Sequence, residues 1–213
     1  MTVKDGQSMA LIGGSGHGKS ILLKHIIGLI KPDRGKVLIN NQDIGRLRGK
    51  LLKQIKERFG VVFQGGALFD SLTVFENVAF PLREKTRLKD SAISDKVYNE
   101  LARVRLSGSE DKYPSEISGG MKKRAALARC LIMNPQLVLF DEPTAGLDPL
   151  IGKAIHKLIQ DCQKNLNFTS IIVTHEIPAI FSIVDRVAML FEGKIIAEGT
   201  PVSGSRGAPV CSR

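Results

Sequence analysis

Residues 8–30 are SMALIGGSGHGKSILLKHIIGLI. The mostly apolar residues 8–12 predict a buried strand, the glycines of 13–18 predict a loop, and the Ile and Leu residues of 19–30 predict a helix. Further strand patterns, at 137–140 and 169–174, alternate with helical ones. This alternation predicts an α/β fold with a mostly parallel sheet and helices on both faces.

The loop fits the pattern Gly13-x-x-x-x-Gly18-Lys19-Ser20, and it lies between a strand and a helix as that pattern requires. Glycines let backbone N–H groups converge on phosphate oxygens, Lys19 adds a positive charge, and Ser20 can bind Mg²⁺. The alternative is a glycine turn that carries Lys and Ser by chance. The residues predicted to hold the nucleotide here are Gly13, Gly14, Ser15, Gly16, His17, Gly18, Lys19, Ser20 and Ile21.

Two carboxylates, Asp141 and Glu142, follow the apolar strand 137–140. The carboxyl ends of parallel strands form the ligand-binding edge of such a sheet. We expect Asp141 to support the Mg²⁺ shell and Glu142 to orient and deprotonate the attacking water. An acidic pair that caps the following loop is the alternative.

A second helix start lies at Ser118-Gly119-Gly120, where small residues and a Ser cap can bind an anion. One compact chain cannot place this terminus and the Lys19 loop on the same γ-phosphate, which suggests two copies facing each other. A plain N-cap remains the alternative.

Shorter patterns complete the outline. Asn40-Asn41 and Glu192-Gly193 predict the turns of two small hairpins. Leu47, Leu51, Ile55 and Phe59 recur every four residues among basic side chains, which predicts an amphipathic helix with a basic outer face. We expect a strand at 61–63, loop and short helix over 65–82, mainly helix over 83–114, and a helix over 119–133.

Composition excludes several classes of protein. The chain has 213 residues, 43% hydrophobic and 24% charged, with a net charge of +10. It has no apolar run long enough to span a bilayer and no secretory signal, so we expect it to stay in the cytoplasm. Three cysteines without metal spacing favour reduced, structural thiols. The charge favours nucleotides, nucleic acid or anionic lipid as partners, or only a basic surface.

Taken in order, these motifs resemble the ATP-binding cassette (ABC) ATPases over about residues 7–201. The further matching residues are Gln64 after a strand, Asp148 in Ala145-Gly-Leu-Asp148, and His175 after the strand 169–174. The resemblance implies a P-loop NTPase with a mostly parallel core sheet, a small antiparallel β part and a helical subdomain at about 83–134. It implies one domain, 1–201, and we expect 202–213 to be a disordered tail.

The family resemblance also implies roles. ATP and Mg²⁺ would lie between two subunits in a head-to-tail homodimer, with the Lys19 loop of one facing Ser118, Gly119 and Gly120 of the other. Gln64 would touch Mg²⁺ and the water, His175 would contact the γ-phosphate, and Asp148 would communicate across the dimer.

Residues 63–84 and 113–121, with Met121 after Ser-Gly-Gly, are similar to the maintenance-of-lipid-asymmetry ATPases. Those drive phospholipid transport with a membrane permease and a periplasmic lipid-binding partner, which implies a place on the cytoplasmic side of the inner membrane and no nucleic-acid partner. An importer ATPase for a polar solute, a soluble non-transport ATPase and an inactive module remain open. The apolar side chains expected to receive the permease are Leu68, Phe69, Leu72, Val74 and Phe75. The alternative is that they pack beneath the helical subdomain, as some of them are expected to do.

The two ends depart from the family pattern. Residues 1–12 lack the aromatic side chain that stacks on adenine in most members, so the chain is expected to begin late and to lack that contact. From Val202 onward the usual acidic helix is missing. A truncated chain, an altered reading frame and a natural short form all remain open.

Overall fold

The computed structural model describes residues 1–201. The tail 202–213, predicted to be disordered, lies outside the described residues, as does Cys211.

The described residues form eight strands. They are β1 Ser8–Ile12, β2 Leu38–Ile39, β3 Gln42–Asp43, β4 Phe59–Val62, β5 Leu137–Asp141, β6 Thr169–Thr174, β7 Arg186–Phe191 and β8 Lys194–Gly199. Six of them make one sheet in the order β4-β5-β6-β1-β7-β8, parallel throughout except for the antiparallel pair β7 and β8. The strands β2 and β3 pair antiparallel as a separate hairpin. This architecture confirms the predicted fold class.

The helices surround this sheet. They are α1 Lys19–Ile26, α2 Gly49–Lys56, α3 Val74–Lys85, α4 Asp90–Arg103, α5 Gly119–Leu131 and α6 Pro149–Leu166, with short 3₁₀ turns at Pro114–Glu116 and Ala179–Ser182. The helices α3, α4 and α5 contact one another and make up the helical part between β4 and β5. Within residues 1–201, no helix is long and apolar enough to cross a membrane.

The strand β1 is buried along its whole length, between β6 and β7. Its alternate side chains join two cores: Ala10 and Ile12 pack on one face of the sheet, and Met9 and Leu11 on the other. A parallel strand covered on both faces needs this continuous apolar run. The loop after β1 therefore starts from a rigid position in the middle of the molecule.

Both predicted hairpin turns are present. Asn40 and Asn41 have φ values of 49° and 62°, and Glu192 and Gly193 have 46° and 75°. Left-handed backbone at both central residues matches the twist of a two-residue hairpin.

The helix predicted over 19–30 is too long, since α1 ends at Ile26. Gly28 adopts φ +65°, and the amides of Leu29 and Ile30 both turn back to the carbonyl of Lys24. A left-handed glycine just past the last turn is a common helix stop.

Two other expectations are corrected. Phe59 belongs to β4 rather than to the amphipathic helix, and none of the residues of α2 is buried. Pro81 lies inside α3, so the predicted loop and short helix over 65–82 instead contains the first two turns of a long helix. A capping box between Thr73 and Glu76 fixes the start of that helix.

Candidate functional site

The loop 13–18 carries the chain from the carboxyl end of β1 to the first turn of α1. A Cβ atom on Gly13 would lie 2.3 Å from the carbonyl oxygen of Leu190, so only glycine fits there. Gly16 and Gly18 have φ values of 80° and 96°, in the region that favours glycine. The glycines are thus required by the shape of the loop.

Lys19 holds its ammonium group inside this loop. Its Nζ donates hydrogen bonds of 2.8 Å to the carbonyl oxygens of both Gly13 and Gly14, and the residue is only 7% exposed. The helix α1 has no acidic residue in its first turn and no side-chain cap, so its first N–H groups are available. A buried cation beside free N–H groups is an arrangement suited to phosphate.

The tip of the loop is fixed by the β7–β8 hairpin. The Nδ1 atom of His17 accepts a 3.0 Å hydrogen bond from the backbone N–H of Glu192, and its ring stacks on Phe191 with centroids 4.9 Å apart. No local pattern predicts this contact, because a turn 175 residues away supplies the donor. Ser15 and Ile21 are exposed beside the loop.

Ser20 and Asp141 meet across the sheet edge. The hydroxyl of Ser20 donates to Oδ1 of Asp141 at 3.2 Å. A hydroxyl beside a carboxylate supplies the oxygen ligands that Mg²⁺ prefers when phosphates and water complete its shell. Within residues 1–201, no cluster of three or more His, Cys, Asp or Glu side chains could hold a metal by itself. An ion at Ser20 and Asp141 would take its other ligands from phosphate and water.

Glu142 is held by both its backbone and its side chain. It has φ +49°, and its N–H donates to the carbonyl of Val173 at 2.9 Å. The Nδ1 of His175 donates to Oε1 of Glu142 at 2.9 Å, and the His175 N–H reaches Oε2 at 3.4 Å. The strands β5 and β6 are neighbours, so the two predicted catalytic residues follow adjacent strands and lie in direct contact.

A buried polar group lies beneath this pair. The Thr144 hydroxyl donates to Oε2 of Glu176 at 2.8 Å, and it lies 3.3 Å from Nε2 of His156. Burial lowers the pKa of His156, and the negative charge of Glu176 opposes this shift without cancelling it. The ring is therefore neutral at neutral pH. Because the hydroxyl proton goes to Glu176, Nε2 of His156 must be the donor to Thr144. Sequence reasoning missed this network, since Thr and His at this spacing match no motif.

Gln64 lies just past β4 with an exposed side chain. Its backbone carbonyl accepts a hydrogen bond from the ammonium of Lys123, and the carbonyl of Gly66 accepts one of 2.8 Å from Arg129. Both donors belong to α5. Burial lowers the pKa of Lys123, while the charges of Glu176 and Glu142 oppose that shift. The helix α5, which Ser118 caps, therefore holds the loop that carries Gln64 in place.

Ser118 is the cap of α5, and its hydroxyl accepts a 3.3 Å hydrogen bond from the N–H of Met121. A Cβ atom on Gly119 would meet Leu147 at 3.3 Å, and one on Gly120 would meet Ile151 at 2.8 Å. The segment 118–120 thus packs against the start of α6, where Asp148 caps the helix through Leu150 N–H at 2.8 Å. In the described part of the chain, no hydrogen bond joins Ser118 to the Lys19 loop.

The predicted apolar docking surface is partly wrong. Val74 is fully buried, because the first turn of α3 faces the helical core. Leu68 and Phe75 pack against the same core, and Phe75 contacts the ring of Tyr98. Phe69 is 44% exposed and lies beside the exposed Phe80, with centroids 4.8 Å apart.

Comparisons with known proteins agree with this geometry. The sequence model of the ABC transporter family matches residues 1–145. The probable ribonucleotide transport ATP-binding protein mkl of Mycobacterium tuberculosis is 46% identical over 93% of this chain and 55% of its own length. The intermembrane phospholipid transport system ATP-binding protein MlaF is 44% identical in Haemophilus influenzae and 40% identical in Escherichia coli, over 94% of this chain and 76% and 74% of those proteins.

Solved structures are similar over nearly the whole chain. One is cbiO1 from Clostridium perfringens, part of the ABC transporter complex cbiONQ, with a TM-score of 0.87 and 37% identity over 94% of this chain and 80% of that one. Another is a dimeric ATP-binding cassette in a post-hydrolysis state bound to ADP and Pi, with a TM-score of 0.84 and 31% identity over 96% and 89%. The chain spans a little over half the length of the mycobacterial relatives it matches.

Proposed function

The chain belongs to the ABC transporter family, and we propose that it is the subunit that binds and hydrolyses ATP to drive transport. The observation that carries this proposal is the meeting of two pairs at one sheet edge. Ser20 contacts Asp141 at the end of β5, beside the Lys19 loop. Glu142, at the same strand end, contacts His175, which follows the neighbouring strand β6.

Each residue has a distinct part in this proposal. The loop N–H groups and the Lys19 ammonium bind the β- and γ-phosphates, with Ser20 and Asp141 placed to hold Mg²⁺. Bound Mg²⁺ would neutralise phosphate charge. Glu142 accepts a proton from the attacking water at a carboxylate oxygen, and His175 holds that carboxylate in place through Nδ1. Gln64 lies at the end of β4, next to the end of β5, and orients the water and the ion.

The site is proposed to be completed by a second copy. Ser118 and the N-terminus of α5 present free N–H groups that the Lys19 loop of the same chain does not meet. The dimeric state of a related cassette supports a head-to-tail homodimer that encloses two ATP molecules. Asp148, beside the segment 118–120, would then transmit a change at one nucleotide site of the dimer to the other.

Equilibrium binding of Mg-ATP to the purified chain tests the nucleotide site. Lys19→Ala should weaken binding at least about tenfold, because a buried cation is lost from the phosphate cradle. Lys24→Ala, on an exposed position of the same helix, should leave the dissociation constant unchanged. Equal binding by the wild type and Lys19→Ala would contradict the proposed site.

The cargo is proposed to be phospholipid, moved between bacterial membranes. The names of the MlaF relatives support this substrate class. A permease would hold the subunit on the cytoplasmic side of the inner membrane, with a lipid-binding partner in the periplasm. The exposed pair Phe69 and Phe80, on the segment that follows Gln64, offers an apolar contact for a permease helix.

A polar solute is the second candidate, because the mycobacterial relative is named for ribonucleotide transport. Copurification from the native membrane distinguishes the two. Recovery with a permease and bound phospholipid supports the first. Recovery with a permease and a solute-binding protein instead, and no phospholipid, supports the second, and recovery with ribosomes would contradict both.

A further inference from the structure

A strongly basic surface lies outside the site described above. It is formed by residues 29–58, which include the segment after α1, the β2–β3 hairpin and α2, and we call it the basic face. Nine Lys and Arg residues against three acidic ones give it +6 of the chain's net +10. The site described above uses none of these residues.

The three parts of the basic face pack together. The Nζ of Lys56, at the end of α2, donates to the carbonyl of Gly28 at 2.9 Å. A Cβ atom on Gly28 would lie 3.2 Å from Lys56 and 3.8 Å from Ile44, which is buried just past the hairpin. The charges therefore belong to one continuous surface rather than to separate loops.

Most of this charge faces the solvent. Lys53 is 78% exposed and lies 3.9 Å from Glu57, and Arg46 is 88% exposed where it meets Asp43. Exposed ion pairs of this kind hold little energy and leave the cations accessible. Six further cations of the basic face are exposed as well: Lys31, Arg34, Lys36, Arg48, Lys50 and Arg58.

Exposed aliphatic side chains lie among these cations. Leu29 is 65% exposed, Leu51 58%, Leu38 48% and Ile30 41%. On α2, Leu51 is exposed on a different side from Lys50 and Lys53, and Leu52 and Ile55 are only partly buried, so the fold leaves the apolar side of this helix incompletely covered. An amphipathic helix with a basic polar side is the form that binds along a membrane surface.

We propose that the basic face binds directly to a membrane surface of anionic phospholipids. Its positive charge complements the headgroups, and its leucines can enter the boundary between headgroups and acyl chains. Surfaces that bind single-stranded nucleic acid combine cations with aromatic platforms, and residues 29–58 contain no Phe, Tyr or Trp. The composition of the face therefore favours lipid over nucleic acid.

This contact needs neither nucleotide nor a permease, so it goes beyond the proposed ATPase and is tested separately from it. ATP turnover in solution measures the proposed function, and vesicle binding without nucleotide measures this one. Either can fail while the other holds.

The test is sedimentation of the full chain with vesicles of phosphatidylglycerol and phosphatidylcholine in equal parts, at about 0.1 M salt. Lys50→Glu with Lys53→Glu should lower the apparent partition coefficient at least about tenfold. The matched control is Lys89→Glu with Lys96→Glu, two exposed cations at the start of α4 that make the same change in net charge. Turnover and circular dichroism should be unchanged in both pairs.

Binding is expected to weaken steeply with salt and to be lost on vesicles of phosphatidylcholine alone. An equal loss of vesicle binding in both charge-reversed pairs would overturn the proposal, because binding would then depend on the net charge of the chain and not on the basic face. Failure of the wild type to sediment with anionic vesicles would overturn it directly. So would tighter binding to single-stranded RNA that the vesicles cannot displace, since that would assign the face to nucleic acid.

Discussion

Glu142 has a left-handed backbone, a hydrogen bond from its own N–H to Val173, and a carboxylate in contact with His175. A left-handed non-glycine residue costs of order 1–3 kcal/mol and persists where its surroundings fix it. The carboxylate thus lies at the carboxyl end of β5, next to Asp141, which meets Ser20. That placement is what a base acting on a water at the γ-phosphate requires.

We expect Glu142→Gln to reduce ATP turnover at least about a hundredfold, because the amide keeps the shape but cannot accept the proton. Binding of Mg-ATP should persist, since Lys19 and the loop are untouched. Phosphate release and equilibrium nucleotide binding measure the two effects. Glu57→Gln, an exposed change on the basic face, is the control, and turnover that survives Glu142→Gln would remove Glu142 from the role of base.

Glu100 is a buried carboxylate with one unpaired oxygen. It is 5% exposed, Arg103 meets Oε2 at 2.5 Å, and Oε1 has no partner among the described residues. Burial raises the pKa of Glu100 from 4.5, while the charge and hydrogen bond of Arg103 oppose the shift. The protonated form is therefore favoured by folding, and its stabilisation is present below pH 4.5 and lost as pH rises through the raised value.

Glu100→Gln should consequently be more stable than the wild type at pH 7, by about 1 kcal/mol, the scale of one relieved buried polar group. The difference should shrink as pH falls towards 4, where the wild-type carboxyl is protonated. Urea unfolding from pH 4 to pH 8 measures it. A variant that is less stable than the wild type at pH 7 would show that the interaction of Glu100 with Arg103 stabilises the fold by more than the burial of the charge destabilises it.

At the scale of single residues, the sequence predicts chemistry better than contacts. A phosphate site is indicated by the types and spacing of Lys19, Ser20, Asp141 and Glu142, because phosphate binding and hydrolysis need those chemical groups. The contact of His17 with the β7–β8 hairpin and the partners of Thr144 follow from packing of distant segments. No local pattern encodes them.

At the scale of elements, α5 joins two parts of the site. Its first residue follows Ser118, and further along the helix Lys123 and Arg129 donate to the carbonyls of Gln64 and Gly66. The position of the Gln64 loop therefore depends on the position of α5. A movement of this helix would move Gln64 relative to the ends of β5 and β6.

Lys123→Met should lower the turnover number about tenfold with little change in nucleotide affinity, because a small misplacement of Gln64 costs rate rather than binding. Steady-state kinetics and equilibrium binding separate the two. Lys122→Met, the neighbouring position on the helix, is the control. A parallel loss of stability and affinity would instead assign Lys123 a purely structural part.

Element boundaries follow the sequence only where the signal is local. The two hairpin turns and the strand β5 are as expected. Phe59 is not, because an apolar residue at helical spacing fits a helix or a neighbouring strand equally well. The loop and short helix expected over 65–82 is a loop followed by the start of α3, which continues through Pro81 to Lys85.

At the scale of the whole molecule, topology brings the motifs together. The strands β4, β5, β6 and β1 are adjacent and parallel, so the residues that follow them meet at one edge. Alternation of strands and helices predicts such a sheet, but it cannot give the strand order. The sheet also leaves Ser118 on the helical part, where, in the proposed dimer, the N–H groups at the start of α5 would meet a phosphate bound by the second copy.

The head-to-tail dimer therefore predicts a nucleotide-dependent association. Glu142→Gln should sediment as two chains with Mg-ATP and as one without, because bound ATP that is not hydrolysed holds the Lys19 loop of one chain against Ser118 of the other. Adding Ser118→Arg should keep it a single chain while nucleotide binding persists, whereas Ser107→Arg, at an exposed position elsewhere on the helical part, should still associate. Association that survives Ser118→Arg would place the second phosphate contact elsewhere, and a single chain under all conditions would mean that one copy completes the site alone.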